Sequence, residues 1–175
     1  MEKEWMLLLQ QQNQLEQIMA MNEATEKYGL SLSEEDARMI ASQRQTVLQQ
    51  QRRVEFGEGI VKKIIQVFCD SPYIEQTTYA ETIVRLQEIF YLYKNEMEDE
   101  LTDDELLELM KEQFDSFCFG DLEYLESTGL ANFARAVRAG YGQYGRREDC
   151  DQFETVTRWD EQMYREALEE LCGWR

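Results

Sequence analysis

The chain has 175 residues, with 18 Lys+Arg against 36 Asp+Glu, a formal net charge of −18, and no histidine. The missing imidazole excludes a Ser/His/Asp or Cys/His triad and any zinc site with a histidine ligand. The acidic balance argues against a nucleic-acid backbone or an anionic membrane as partner, since both require clustered cations. One proline, nine glycines and 43% hydrophobic residues point to a helical chain with a real core, and its length to a single domain over residues 1–175.

At the N-terminus, Met1-Glu2-Lys3-Glu4 is no basic leader, and Trp5 to Leu9 is too short for a signal core. No stretch approaches the ~20 apolar residues of a membrane span, so a cytoplasmic address is expected. Trp5, Leu8, Leu9, Leu15, Ile18 and Met19 share one helical stripe, which predicts a first helix within 4–28, ending before Gly29. Ser33 offers an N-cap, followed by Glu34, Glu35 and Asp36 where the helix dipole favours anions. Ala37, Ile40, Ala41, Val47 and Leu48 give this second helix its face. Val54-Glu55-Phe56-Gly57-Glu58-Gly59 breaks the period. Ile60, Val61, Ile64, Ile65 and Phe68 resume it in a third helix that stops near Asp70-Ser71-Pro72.

Thr78-x-x-Glu81 reads as a capping box opening a helix with Ile83, Leu86, Phe90, Tyr93 and Met97 inward. Thr102-x-x-Glu105 is a second box, and Leu106, Met110, Phe114 and Phe117 form the apolar face of the helix it opens. Gly120 ends that helix and Asp121 caps the next, which carries Leu122, Leu125, Phe133, Ala134 and Val137 and is expected to bend or split at Gly129. A Gly/Tyr/Arg link over about 140–152 precedes a last helix with Val156, Trp159, Met163, Ala167 and Leu171. The reading is an all-α bundle of about six to seven helices.

Cys69, Cys118, Cys150 and Cys172 form no C-x-x-C pair. Cys69 and Cys118 sit in apolar runs, where a thiol packs as a small hydrophobe, so free and buried thiols are expected.

Residues 95–126 hold thirteen acids against Lys111 alone, a local balance of −12. Caps and a solvated face account for them most simply. The alternative is a carboxylate site for a hard cation such as Mg²⁺, with Glu105 and Glu108, or Glu108 and Glu112, at helical spacing, which would imply a phosphohydrolase. Two further readings use the acids as a docking face for a basic protein or as a DNA-mimicking inhibitor. Arg135, Arg138, Arg146 and Arg147 bracket the Gly/Tyr loop 140–145 but match no phosphate-binding pattern. They read as a connector whose arginines pair with acidic neighbours.

Val54-Glu55-Phe56-Gly57-Glu58-Gly59-Ile60, Cys69-Asp70-Ser71-Pro72-Tyr73-Ile74, the run from Tyr79 to Leu107, and Cys118-Phe119-Gly120-Asp121-Leu122-Glu123-Tyr124-Leu125-Glu126 together resemble a bacterial, Firmicute-type family defined as a domain of unknown function. The resemblance covers about residues 22–142 and departs after Gly142. It implies a bacterial cytosolic origin and brings no activity, cofactor or catalytic residue. Within that span the polar residues without an obvious structural duty are Glu55, Glu58, Asp70, Tyr73 and Arg85. The expected function is a non-enzymatic interaction or regulatory module without a cofactor, whose partner is another protein.

Overall fold

The structure, a computed structural model, describes residues 2–55 and 59–138. Helix α1 (Glu2–Ala20) leads through a single turn, α2 (Asn22–Thr25), and a 3-10 turn at Glu26–Tyr28 into α3 (Glu34–Gln50). Helix α4 (Val61–Phe68) follows, then a 3-10 turn at Gln76–Thr78, α5 (Tyr79–Glu96) and α6 (Asp103–Ser116). A short α7 (Leu122–Tyr124) runs through a π-turn at Leu125–Gly129 into α8 (Leu130–Arg138). No strand occurs among the described residues. The protein is an all-α bundle, with six helices of eight residues or more in the described part. The link near 140–152, the last helix, Cys150 and Cys172 lie outside the described residues.

Local chemistry sets most of the boundaries. At Ser33 the hydroxyl accepts from the Asp36 amide while the Asp36 carboxylate accepts from the Ser33 amide, satisfying two amide donors that the first turn leaves open. Thr102 and Glu105 repeat this arrangement for α6, and Asp121 accepts from the Tyr124 amide to start α7. Gly29 ends the 3-10 turn Glu26–Tyr28 at φ 75°, a left-handed conformation that glycine adopts without steric cost.

The box predicted at Thr78-x-x-Glu81 does not form. Thr78 closes a 3-10 turn at φ −115°, ψ 8°, and its side chain makes no capping bond; an N-cap needs extended backbone to turn its oxygen onto the first amides. Gln76 ties this corner down instead, accepting from the Ser31 amide at 2.7 Å and donating to the Ser31 carbonyl at 2.8 Å.

Helix α5 is the axis of the bundle, touching α3, α4, α6, α7 and α8. Its predicted stripe of Ile83, Leu86, Phe90, Tyr93 and Met97 is buried throughout and meets Ile40 and Val47 of α3, Ile64 and Phe68 of α4, Phe114 of α6 and Phe133 of α8 in one core. The split foreseen near Gly129 is the π-turn, which closes when the Leu130 amide donates to the Leu125 carbonyl. A Cβ on Gly129 would stand 3.2 Å from Cys118 Sγ, so the missing side chain lets the turn lie against α6's end.

Two apolar stripes depart from expectation. Leu15, Ile18 and Met19 reach the core, but Trp5, Leu8 and Leu9 are exposed because the first turns of α1 extend past the helices that cover the rest. Phe117, predicted inward with Phe114, is exposed: α6 ends at Ser116 and the chain leaves the helical register. Cys118 is buried and Cys69 only half-buried; both are free thiols. No helix among the described residues is long and apolar enough to cross a membrane.

Candidate functional site

The acid-rich segment is mostly spent on structure. Glu96 pairs with Arg138, Asp99 with Arg53, Asp103 with Lys94, Asp104 with Lys63, Asp115 with Lys111 and Glu126 with Arg85. Glu105 holds the Thr102 amide at 2.7 Å, and Glu108 and Glu112 are exposed along α6. Among the described residues no group of three His, Cys, Asp or Glu side chains is placed to hold a metal ion. The geometry therefore distributes these carboxylates over several separate partners.

Glu55 belongs to a buried polar cluster. Its Oε2 accepts from Arg44 Nε and a terminal guanidinium nitrogen at 3.3 and 3.1 Å and from the Tyr91 hydroxyl. Arg44 is only 7% exposed. Burial, then the hydrogen bond to Glu55 and that residue's charge, push the Tyr91 phenol well above its ordinary range. Gly59, at φ 76°, passes so near that an added Cβ would lie 2.6 Å from Arg44 Nε. A shallow depression of about 10 Å³, room for no more than a water, adjoins Arg44 and is lined also by Gln14, Gln17, Ala41 and Lys62. This arrangement anchors the α3–α4 connection to α5 and presents no paired nucleophile and base. Glu58 lies outside the described residues.

Asp70 and Tyr73 come together at a different corner. Lys111 donates to Asp70 at 2.8 Å and pairs with Asp115 at 2.7 Å, and the Lys111 hydrogen bond holds the Asp70 carboxyl below its ordinary value. The Ser71 hydroxyl donates to Asp115 at 2.6 Å, stapling the α4–α5 connection to α6. This positions Tyr73 over the turn after α6, where its ring meets Phe114 and Phe119 edge-on at centroid distances of 6.4 and 6.2 Å. Phe119 is 66% exposed and sits at φ 50°. Phe117 and Tyr124, on either side of the turn, are exposed as well, with exposed Asp121 and Glu123 between the aromatics. Arg85 is elsewhere, pairing with Glu88 at 2.7 Å and with Glu126, a structural clamp between α5 and the π-turn.

Sequence reasoning did not single out Arg44, Phe119 or Gln87. Phe119 had a signal, a large apolar residue directly before the helix-ending Gly120. Arg44 and Gln87 had none, because a polar residue on a helix gives no sign of being buried until its neighbours are known. Gln87 is fully buried, and among the described residues its amide nitrogen and oxygen both lack a hydrogen-bond partner.

A family model described as a family of unknown function (DUF6323) matches residues 17–143. No curated protein and no solved structure matches the chain.

Proposed function

We propose that this chain, which belongs to the DUF6323 family of unknown function, is a non-enzymatic bacterial cytoplasmic module that docks another protein on the aromatic face around Tyr73 and Phe119. One observation carries the reading. Phe119 keeps a left-handed backbone conformation while its ring is 66% exposed. A non-glycine residue there costs roughly 1–2 kcal/mol, and such strain tends to persist where it serves a contact. Burial in this chain's own core cannot be that contact.

The surrounding charge sets the partner's chemistry. Asp70, Asp115, Asp121 and Glu123 flank the aromatics against Lys111, so a basic surface with an apolar anchor complements the face. Exposed aromatics are the side chains on which binding energy concentrates at interfaces. Support for the cytoplasmic address comes from the apolar setting of the free thiols Cys69 and Cys118; support for bacterial origin comes from the family resemblance.

The test is affinity capture from the native cell with wild-type chain and with Phe119→Gly, which removes the ring and relaxes the backbone. A basic protein held by the wild type, lost with F119G and released by high salt is expected. Equal capture by both would remove the aromatic face as the docking site.

A further inference from the structure

Residues 2–13 of α1 are all exposed, whereas Leu15, Ile18 and Met19 further along the same helix reach the core. Within the exposed stretch Trp5, Met6, Leu7, Leu8 and Leu9 keep 67%, 61%, 49%, 57% and 49% of their surface open to solvent. At ~100° per residue, Trp5, Leu8, Leu9 and Gln12 fall within about 100° of one another, with Met6 on their flank and Leu7 on the far side. For large side chains of roughly 150–250 Å², the near side and its flank amount to about 500 Å². That matches the largest apolar patch of a typical soluble monomer, a feature that often marks an interaction site.

Charge identifies the occupant. Residues 5–15 carry no charged side chain, the longest such run in a chain of net charge −18. A basic protein finds no carboxylate to pair with along it, and an anionic lipid surface finds Lys3 alone, flanked by Glu2 and Glu4. A second copy of this chain is repelled by the acidic surface elsewhere and meets no like charge here. Area agrees: two such patches facing one another bury about 1,000 Å² in all, the level a specific interface must reach. We propose that this side of α1 is a self-association surface, on which two copies pair their first helices antiparallel about a two-fold axis. The antiparallel sense sets the two acidic bodies at opposite ends of the pair and opposes the helix dipoles. With the axis between Leu8 and Leu9, Leu8 of one copy stands level with Leu9 of the other, and Trp5 with Gln12, whose amide oxygen accepts from the indole N–H. The contact is independent of the face at Phe119.

Sedimentation equilibrium of the full chain should show a monomer–dimer equilibrium with Kd on the order of 10 µM, in keeping with an interface at the small end of the range. Raising NaCl from about 0.05 to 0.5 M should tighten it, by screening the repulsion between two acidic chains. Gln12→Glu and Gln10→Glu add the same charge at exposed positions on opposite sides of the helix. The first should weaken the dimer roughly tenfold or more, and the second should leave it intact. Leu8→Glu places a carboxylate at the axis and should abolish it with helix content unchanged in circular dichroism, since Leu8 is exposed. Phe119→Gly should have no effect. A wild-type chain that stays monomeric at about 300 µM, well above the expected Kd, overturns the proposal. So does a dimer indifferent to Q12E, one weakened equally by Q10E or lost with F119G, or one that dissociates as salt rises.

Discussion

Tyr73 lies directly on Gly120: a Cβ built on the glycine would stand 2.5 Å from Tyr73 Cβ, and the glycine's φ is 83°. Two segments forty-seven positions apart in sequence are thus fitted backbone to side chain, and the aromatic face depends on the fit. Gly120→Ala should cost about 2–4 kcal/mol, combining a left-handed alanine with a displaced neighbour. Tyr73→Ala should not rescue it, because alanine keeps the offending Cβ; Tyr73→Gly should recover part of the loss. Urea unfolding of the single and double variants decides this, and a G120A chain as stable as wild type would contradict the packing described.

The Arg44–Glu55–Tyr91 cluster makes an ordered prediction. Glu55→Ala withdraws the carboxylate shared by a buried guanidinium and a buried phenol, and should cost about 2–4 kcal/mol, toward the lower end because Arg44 has other interactions. Tyr91→Phe removes one donor and should cost about 1–2 kcal/mol. Chemical denaturation should show the two effects well below additive, since both variants break the same bond.

Gln87→Met should stabilise the protein. The amide is fully buried with neither polar atom bonded among the described residues, and methionine has nearly the same shape without the desolvation cost. A gain of about 1–2 kcal/mol is expected in thermal or urea unfolding. A loss of that size would instead assign the amide a positive role in the native protein.

Stability should fall steeply in alkali. Burial pushes the Tyr79 and Tyr93 phenols up to about 12 and the Cys118 thiol up to about 11, from ordinary values of 10.0 and 9.0. The folded state therefore keeps protons that the unfolded chain releases. This contribution is complete below the unfolded values and is lost as pH rises through the folded ones. Urea midpoints should begin to drop near pH 9–10 and continue falling to about 12, less steeply in Tyr93→Phe. A midpoint flat through pH 11 would show that these groups are hydrated.

Among the described residues, the sequence by itself determined the helices, most of their boundaries and most of their inward faces. Period 3.6 in apolar residues, the N-cap at Ser33, the box at Thr102 and the stop at Gly29 are local chemistry, set by side chains and backbone a few positions apart, whereas the helix expected to run to Gly120 ends at Ser116. Tertiary structure decided the rest. Thr78 kept its box residues but lost the box, because Gln76 is bonded to Ser31 across the bundle. Trp5 has the stripe of a core helix but is exposed, and six of the thirteen acids, Glu96, Asp99, Asp103, Asp104, Asp115 and Glu126, are paired one by one with Arg138, Arg53, Lys94, Lys63, Lys111 and Arg85. Tyr73 and Phe119 were two separate motifs until the Ser71–Asp115 bond and the bare backbone of Gly120 brought them into contact. Periodicity tells a residue which side of its own helix it occupies; what stands opposite depends on how the helices pack, and that is where the polar cluster and the exposed aromatic face were settled.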